Sequence, residues 1–102
     1  MDPKREFWKG TYYLIVLKVL EEQETHGYQL RKILETLGNP SESTVYDVLK
    51  KLERGGYVKG EWVMQGRRPK KRYRITEKGR ELLKELEGQA SLLCSFLSGR
   101  GK

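Results

Sequence analysis

The hydrophobic period of the chain changes twice, and those two changes leave few folds open. Up to the pair Gly55-Gly56 apolar residues recur at helical spacing; from Tyr57 to Ile75 they sit in short β-forming runs; from Thr76 onward the helical spacing returns. With 102 residues the chain can build one core but not two independent ones. Helices, one hairpin and a closing helix around a shared core make a mainly α fold with a small β-hairpin, of the α+β class.

The segment TYYLIVLKVLEEQ, with Thr11 as the expected N-cap, is apolar on nearly every side up to Leu20. It reads as the central core helix, with Lys18 and the stretch from Glu21 to Gln23 turned outward. Trp8, just ahead of it, is expected to pack on this helix or on a partner subunit. A second helix is expected from Gly27 to Leu37, where Tyr28, Leu30, Ile33, Leu34 and Leu37 share a face, with Gly38 as C-cap and Pro40 as stop. A third begins near Ser41 or Ser43 and runs to Arg54 on the stripe Val45, Val48, Leu49 and Leu52. Two short helices joined by a Gly/Pro/Ser turn behind a buried first helix form a helix-turn-helix.

Tyr57 to Met64 is rich in β-formers, and from Arg72 to Ile75 arginines alternate with Tyr73 and Ile75. Gln65 to Lys71 reads as the connecting tip, with Gly66 and Pro69 as turn residues. Thr76 then caps a last helix bearing Leu82, Leu83, Leu86, Ala90, Leu93, Phe96 and Leu97 along one stripe, followed by SGRGK as a frayed tail. Gly88 interrupts that helix at a cost of about 1 kcal/mol relative to alanine, which would permit a kink.

The net charge of +7 is unevenly spread. Residues 1–49 hold six Lys/Arg against eight Asp/Glu, residues 50–80 twelve against three, and residues 81–102 three against three, giving −2, +9 and 0. A field confined to the middle third points to a polyanion, nucleic acid ahead of an anionic membrane surface. Six of the eight residues from Arg67 to Arg74 are cationic, in the run GRRPKKRYRIT.

Other chemistries lack their parts. The single cysteine, Cys94, cannot form an internal disulfide, and no His/Cys cluster has metal spacing, so neither a metal nor a cofactor is expected. One histidine, no Gly-rich phosphate loop and no carboxylate pair in an apolar setting argue against an enzyme. The apolar run from Tyr12 to Leu17 is broken by Lys18 and followed by acidic residues, unlike a signal peptide, and is far too short to span a membrane. A cytoplasmic protein is expected. His26 before a helix start reads as an ordinary terminal residue rather than a pH sensor, and Cys94 on an apolar stripe as packing rather than a redox switch.

The order helix, helix, helix, basic hairpin, helix is that of a winged helix-turn-helix. In that arrangement the third helix enters the DNA major groove and the hairpin wing reaches the flanking phosphates or the minor groove. The six cations Arg67, Arg68, Lys70, Lys71, Arg72 and Arg74 would then lie on the wing, with Arg67 and Arg68 at its tip, where counterion release favours binding. A solvated loop is the alternative. On the third helix Ser43, Thr44, Asp47, Lys50 and Lys51 face away from the apolar stripe, with Tyr46 at the border and Ser41 at the start. The hydroxyls suit base edges and phosphates and the lysines suit phosphates, while Asp47 either accepts from a cytosine amino group or orients a neighbour.

HGYQL at His26 to Leu30, STVYDVLKKLERGGYV at Ser43 to Val58 and RYRITEKGRELL at Arg72 to Leu83 together resemble the PadR-like transcriptional regulators, over about residues 11–83. The chain departs from that family's usual glycine and proline around the threonine-to-tyrosine core by carrying Ser43 and Asp47. The resemblance implies a homodimeric repressor of a pseudo-palindromic double-stranded DNA site, with residues 1–79 as the DNA-binding domain and residues 80–102 as a C-terminal dimerisation helix and tail. The residues independently support an interface at Leu82, Leu86, Leu93, Phe96 and Leu97, with Trp8 added, because so long a stripe exceeds what the core can cover. The alternative is that it folds back on the first helix. Trp8 and Trp62 read as packing residues, with stacking on a small aromatic effector, as aromatic side chains do in some members of the resembling family, as the alternative. Two other functions satisfy parts of the pattern: a non-specific architectural DNA-binding protein, and a protein-interaction module whose hairpin meets an acidic partner.

Overall fold

The computed structural model describes residues 1–99, so the expected frayed tail lies, for its last three residues, outside the described part. The elements in chain order are α1 (Pro3–Glu22), β1 (Thr25–His26), α2 (Gly27–Leu34), α3 (Glu42–Arg54), β2 (Val58–Gln65), β3 (Arg68–Ile75) and α4 (Glu77–Gly99). The three strands form one antiparallel sheet in the order β1-β3-β2.

Helix α1 starts well before Thr11. Asp2 accepts from the Lys4 amide at 3.1 Å and Pro3 occupies the first turn, a stronger start than a threonine inside an apolar run. Thr11 lies mid-helix and donates its hydroxyl to the Phe7 carbonyl at 2.8 Å. Tyr12, Val16, Leu17 and Leu20 are buried, and Tyr13, Leu14, Ile15 and Val19 pack around them, so this helix is the spine of the core. Lys18 points outward and joins Glu21 at 3.1 Å and Glu87 of α4 at 3.2 Å.

Helix α2 ends three residues earlier than its pattern suggests, at Leu34 rather than Leu37. The chain has to double back into α3 within a few residues, and it does so through two left-handed positions, Gly38 (φ +85°) and Asn39 (φ +46°). Gly38 is needed for a second reason: a Cβ there would strike the Tyr12 hydroxyl and come within 2.7 Å of the Trp8 ring. Tyr28, expected on the buried stripe, is 59% exposed. In α3, Ser41 is the cap, accepting from the Thr44 amide at 3.2 Å, and Val45, Val48, Leu49 and Leu52 are buried. Fully burying each such side chain contributes about 1.5–3 kcal/mol.

The hairpin is tighter than expected. β2 and β3 pair from Val58↔Ile75 to Gln65↔Arg68, which leaves only Gly66 (φ +66°) and Arg67 in the turn. Pro69 is therefore a strand residue, opposite Met64. It stands where β2 alone flanks β3, so its missing N–H costs no ladder bond on the open edge. β1 adds a third strand through Thr25↔Tyr73 and His26↔Arg72, one that the hydrophobic pattern does not announce. Tyr73 and Ile75 are buried while Arg72 is exposed, as the alternation implies.

Thr76 caps α4, accepting from the Gly79 amide at 3.0 Å and donating to the Gly56 carbonyl at 2.6 Å. Lys78 donates to the Gly55 carbonyl at 2.7 Å, its ammonium 4.8 Å from the Tyr57 ring centroid. The start of α4 is thus bonded to the end of α3. Along α4 Leu83 enters the core and Leu82 and Leu86 pack against it, whereas Leu92, Leu93, Phe96 and Leu97 are 46–73% exposed. The helix continues through Gly88, around which nothing else approaches within 4 Å. The stripe therefore divides: its first half folds back on the core and its second half does not. Cys94 lies on the second half and is exposed, so it takes no part in this chain's core. No helix among the described residues is long and apolar enough to cross a membrane.

Candidate nucleic-acid interface

Because α3 buries one stripe against α1 and α2, its other face is fixed outward. Ser41, Ser43, Tyr46, Asp47, Lys50 and Lys51 are all exposed there and Thr44 is half-buried. The three hydroxyls form a cluster, with Ser41 Oγ 3.2 Å from Ser43 Oγ and 3.0 Å from Thr44 Oγ1. Asp47 is paired one turn on with Lys51 at 3.3 Å, and the hydrogen bond to Asp47 holds the Lys51 ammonium above the usual lysine range. Of the two roles open to Asp47, the geometry shows it bonded to its neighbour. Lys50 makes no ion pair among the described residues.

The six cations of the hairpin are not equivalent. Arg74 Nε meets Glu61 across the sheet at 3.2 Å, and Lys71 Nζ meets Glu53 at the end of α3 at 2.9 Å. That hydrogen bond raises the Lys71 pKa above its usual value, against burial that works to lower it. Arg67, Arg68, Lys70 and Arg72 are exposed and have no carboxylate partner among the described residues. They remain available to an external anion. Every residue of the run from Met64 to Lys70 at the end of the hairpin is exposed.

Between the start of α2, Tyr46 of α3 and the hairpin lies a groove of about 400 Å³, lined by His26, Tyr28, Tyr46, Trp62, Lys70 and Tyr73 among others. Tyr46 can lie against α2 because residue 27 is glycine, where a Cβ would come 3.0 Å from the ring. His26 has its Nδ1 buried with no hydrogen-bond partner among the described residues. Three of these residues, His26, Tyr28 and Trp62, join this face only in the folded chain. Helical spacing puts Tyr28 with the apolar stripe, and nothing in one sequence brings Trp62 opposite Lys71 until the register is known.

Residues 16–85 match the family model described as the transcriptional regulator PadR-like family, which is more than half of the chain. The chain belongs to the PadR-like transcriptional regulators. A family of transcriptional regulators is not one of enzymes. Transcriptional regulator YqjI of Escherichia coli (strain K12) is 30% identical over 101 residues, covering 95% of this chain but only 47% of that protein. The chain thus spans about half the length of this curated relative. A PadR family regulator of Eggerthella lenta DSM 2243 superposes with a TM-score of 0.80 at 35% identity, over 95% of this chain and 87% of that one. Bacillus subtilis PadR, solved in complex with operator DNA, gives a TM-score of 0.66 at 27% identity, over 74% of this chain and 45% of that one.

Within this PadR-like fold the structure brings the polar face of α3 and the free cations of the hairpin onto neighbouring elements. Trp8 is elsewhere, stacked on Tyr12 with ring centroids 6.1 Å apart and packed toward Gly38. Leu82 and Leu86, expected at a dimer contact, are largely occupied by the chain's own core.

Proposed function

We propose that the chain is a cytoplasmic repressor that binds a pseudo-palindromic duplex as a homodimer, α3 reading the major groove and the β2–β3 wing holding the backbone. The observation that carries this reading is the set of four cations without a carboxylate partner among the described residues, Arg67, Arg68, Lys70 and Arg72, on one hairpin beside the exposed polar face of α3. A polyanion with regular charge spacing suits that set, and duplex DNA has it. The operator DNA held by the Bacillus subtilis relative favours the same partner. Ser41, Ser43, Thr44, Tyr46 and Lys50 are the α3 contacts in this reading, while Asp47, Lys51, Lys71 and Arg74 act first on one another and on Glu53 and Glu61. Residues 1–79 form the DNA-binding part and residues 80–102 the dimer element.

Fluorescence anisotropy with random-sequence duplex DNA across a salt series tests the reading. Affinity is expected to fall steeply, with a log–log slope of about −0.9 for each phosphate neutralised. Negligible binding at low salt would sink it and favour a protein partner with acidic character, whereas equal affinity for every sequence would favour an architectural role.

The dimer rests on Leu92, Leu93 and Leu97, which continue the core stripe of α4 into solvent. A second copy supplies a matching stripe by symmetry. Leu93→Asp with Leu97→Asp is expected to convert the protein to a monomer in sedimentation equilibrium while leaving the helical spectrum intact. A dimer that survives both changes would place the interface elsewhere. Trp62, on the wall of the groove beside Tyr28 and Tyr46, is the residue on which a small aromatic effector would stack, and Trp8 is the packing residue of the two.

A further inference from the structure

We propose that Lys71 is a positioning residue: its ion pair with Glu53 locks the wing to the recognition helix, so that one duplex meets both at once. The inference rests on the DNA-binding reading above. In sequence Lys71 is one of six similar cations, but its side chain goes inward. Its ammonium lies 2.9 Å from Glu53 Oε1 with the two side chains 28% and 35% exposed, the most sheltered ion pair among the described residues. It also sits 5.8 Å from the Trp62 ring centroid and 5.5 Å from that of Tyr73, within cation–π range of both.

Two further observations give the pair its meaning. The space it uses exists because residue 60 is glycine: a Cβ there would collide with Lys71 Cε and come within 3.1 Å of Glu53 Oε2. The pair also stands at the root of the free tip, since every residue from Met64 to Lys70 is exposed. A tether at that root sets the direction in which Arg67, Arg68 and Lys70 project relative to α3. The ammonium, already bonded to a carboxylate and set between two rings, is not a phosphate ligand in this arrangement.

The sign of one mutation separates this role from simple electrostatics. Glu53→Ala removes a negative charge beside the DNA, and charge alone would tighten binding and steepen its salt dependence. The tether predicts the reverse in a random-duplex titration: about 30-fold weaker binding per protomer, with a salt slope flatter by about 2.7 units, because Arg67, Arg68 and Lys70 leave the backbone as a unit. Lys71→Met is expected to do the same, and the double variant to bind no worse than the weaker single one. Circular dichroism and melting confirm that binding is measured on folded protein. If a single variant does not fold, the swapped pair Glu53→Lys with Lys71→Glu decides, with affinity within about twofold of the parent expected and any larger loss overturning the proposal. Binding by Glu53→Ala as tight as the parent or tighter, or losses that add, would also overturn it. A parent protein without salt-dependent binding would instead remove the DNA-binding reading itself.

Discussion

With Arg67, Arg68, Lys70 and Arg72 all changed to alanine, the protein is expected to keep its fold and lose most of its affinity for duplex DNA. These four side chains are exposed and make no ion pair among the described residues, so removing each should change stability by no more than about 0.5 kcal/mol. Each phosphate that is no longer neutralised flattens the salt slope by about 0.9 units, so the four cations of one protomer account for roughly 3.6. At about 0.7 kcal/mol or more per phosphate these four account for a roughly 100-fold loss of affinity per protomer near physiological salt. Anisotropy across a salt series measures both quantities. A slope unchanged from the parent would take the wing out of the interface. Arg74 is left out of the set because Glu61 already holds it, and Lys71 because Glu53 does.

Gly79→Ala is the substitution expected to damage the fold most for its size. In an exposed helix this change would stabilise by about 1 kcal/mol, because alanine loses less backbone entropy. Here a Cβ would collide with the Tyr57 carbonyl oxygen and come within 2.8 Å of Ile75 Cγ1. That carbonyl cannot retreat easily, since it accepts the Thr76 amide at 3.1 Å and lies 3.0 Å from the Thr76 hydroxyl. Moving it would pull at the junction between the sheet and α4, so a loss of about 2–3 kcal/mol is expected. Gly88→Ala, on the same helix with nothing within 4 Å, should show the ordinary gain of about 1 kcal/mol. Urea denaturation of the two variants beside the parent checks the contrast. If both gained stability, the close approach at Gly79 would be wrong.

Much of this protein is legible because its strongest signals are local. Ser41 and Thr76 are cap residues just ahead of apolar stripes, and both bond the amides that capping requires. The stripe on α3, the glycine pair after it and the alternation around Tyr73 likewise act between near neighbours, and each is found where the sequence puts it. The errors fall where two local signals compete or where there is none. Asp2-Pro3 outweighs Thr11 as the start of α1, and β1 is a two-residue strand with no period to read, stabilised only by β3.

The order of the elements can be read directly along the chain because hydrophobic period, caps and turn residues act over a few positions, and so can the place of the excess charge. The tertiary structure alone decided which charges are free and which apolar residues stay uncovered. Glu53 finds Lys71 and Glu61 finds Arg74 only once the hairpin register brings β2 and the end of α3 beside β3. Leu83 is buried and Leu93 exposed on one continuous stripe only because α4 outruns the core it packs on. Pairing and burial depend on distances between residues remote in the chain, and those distances exist only in the folded molecule.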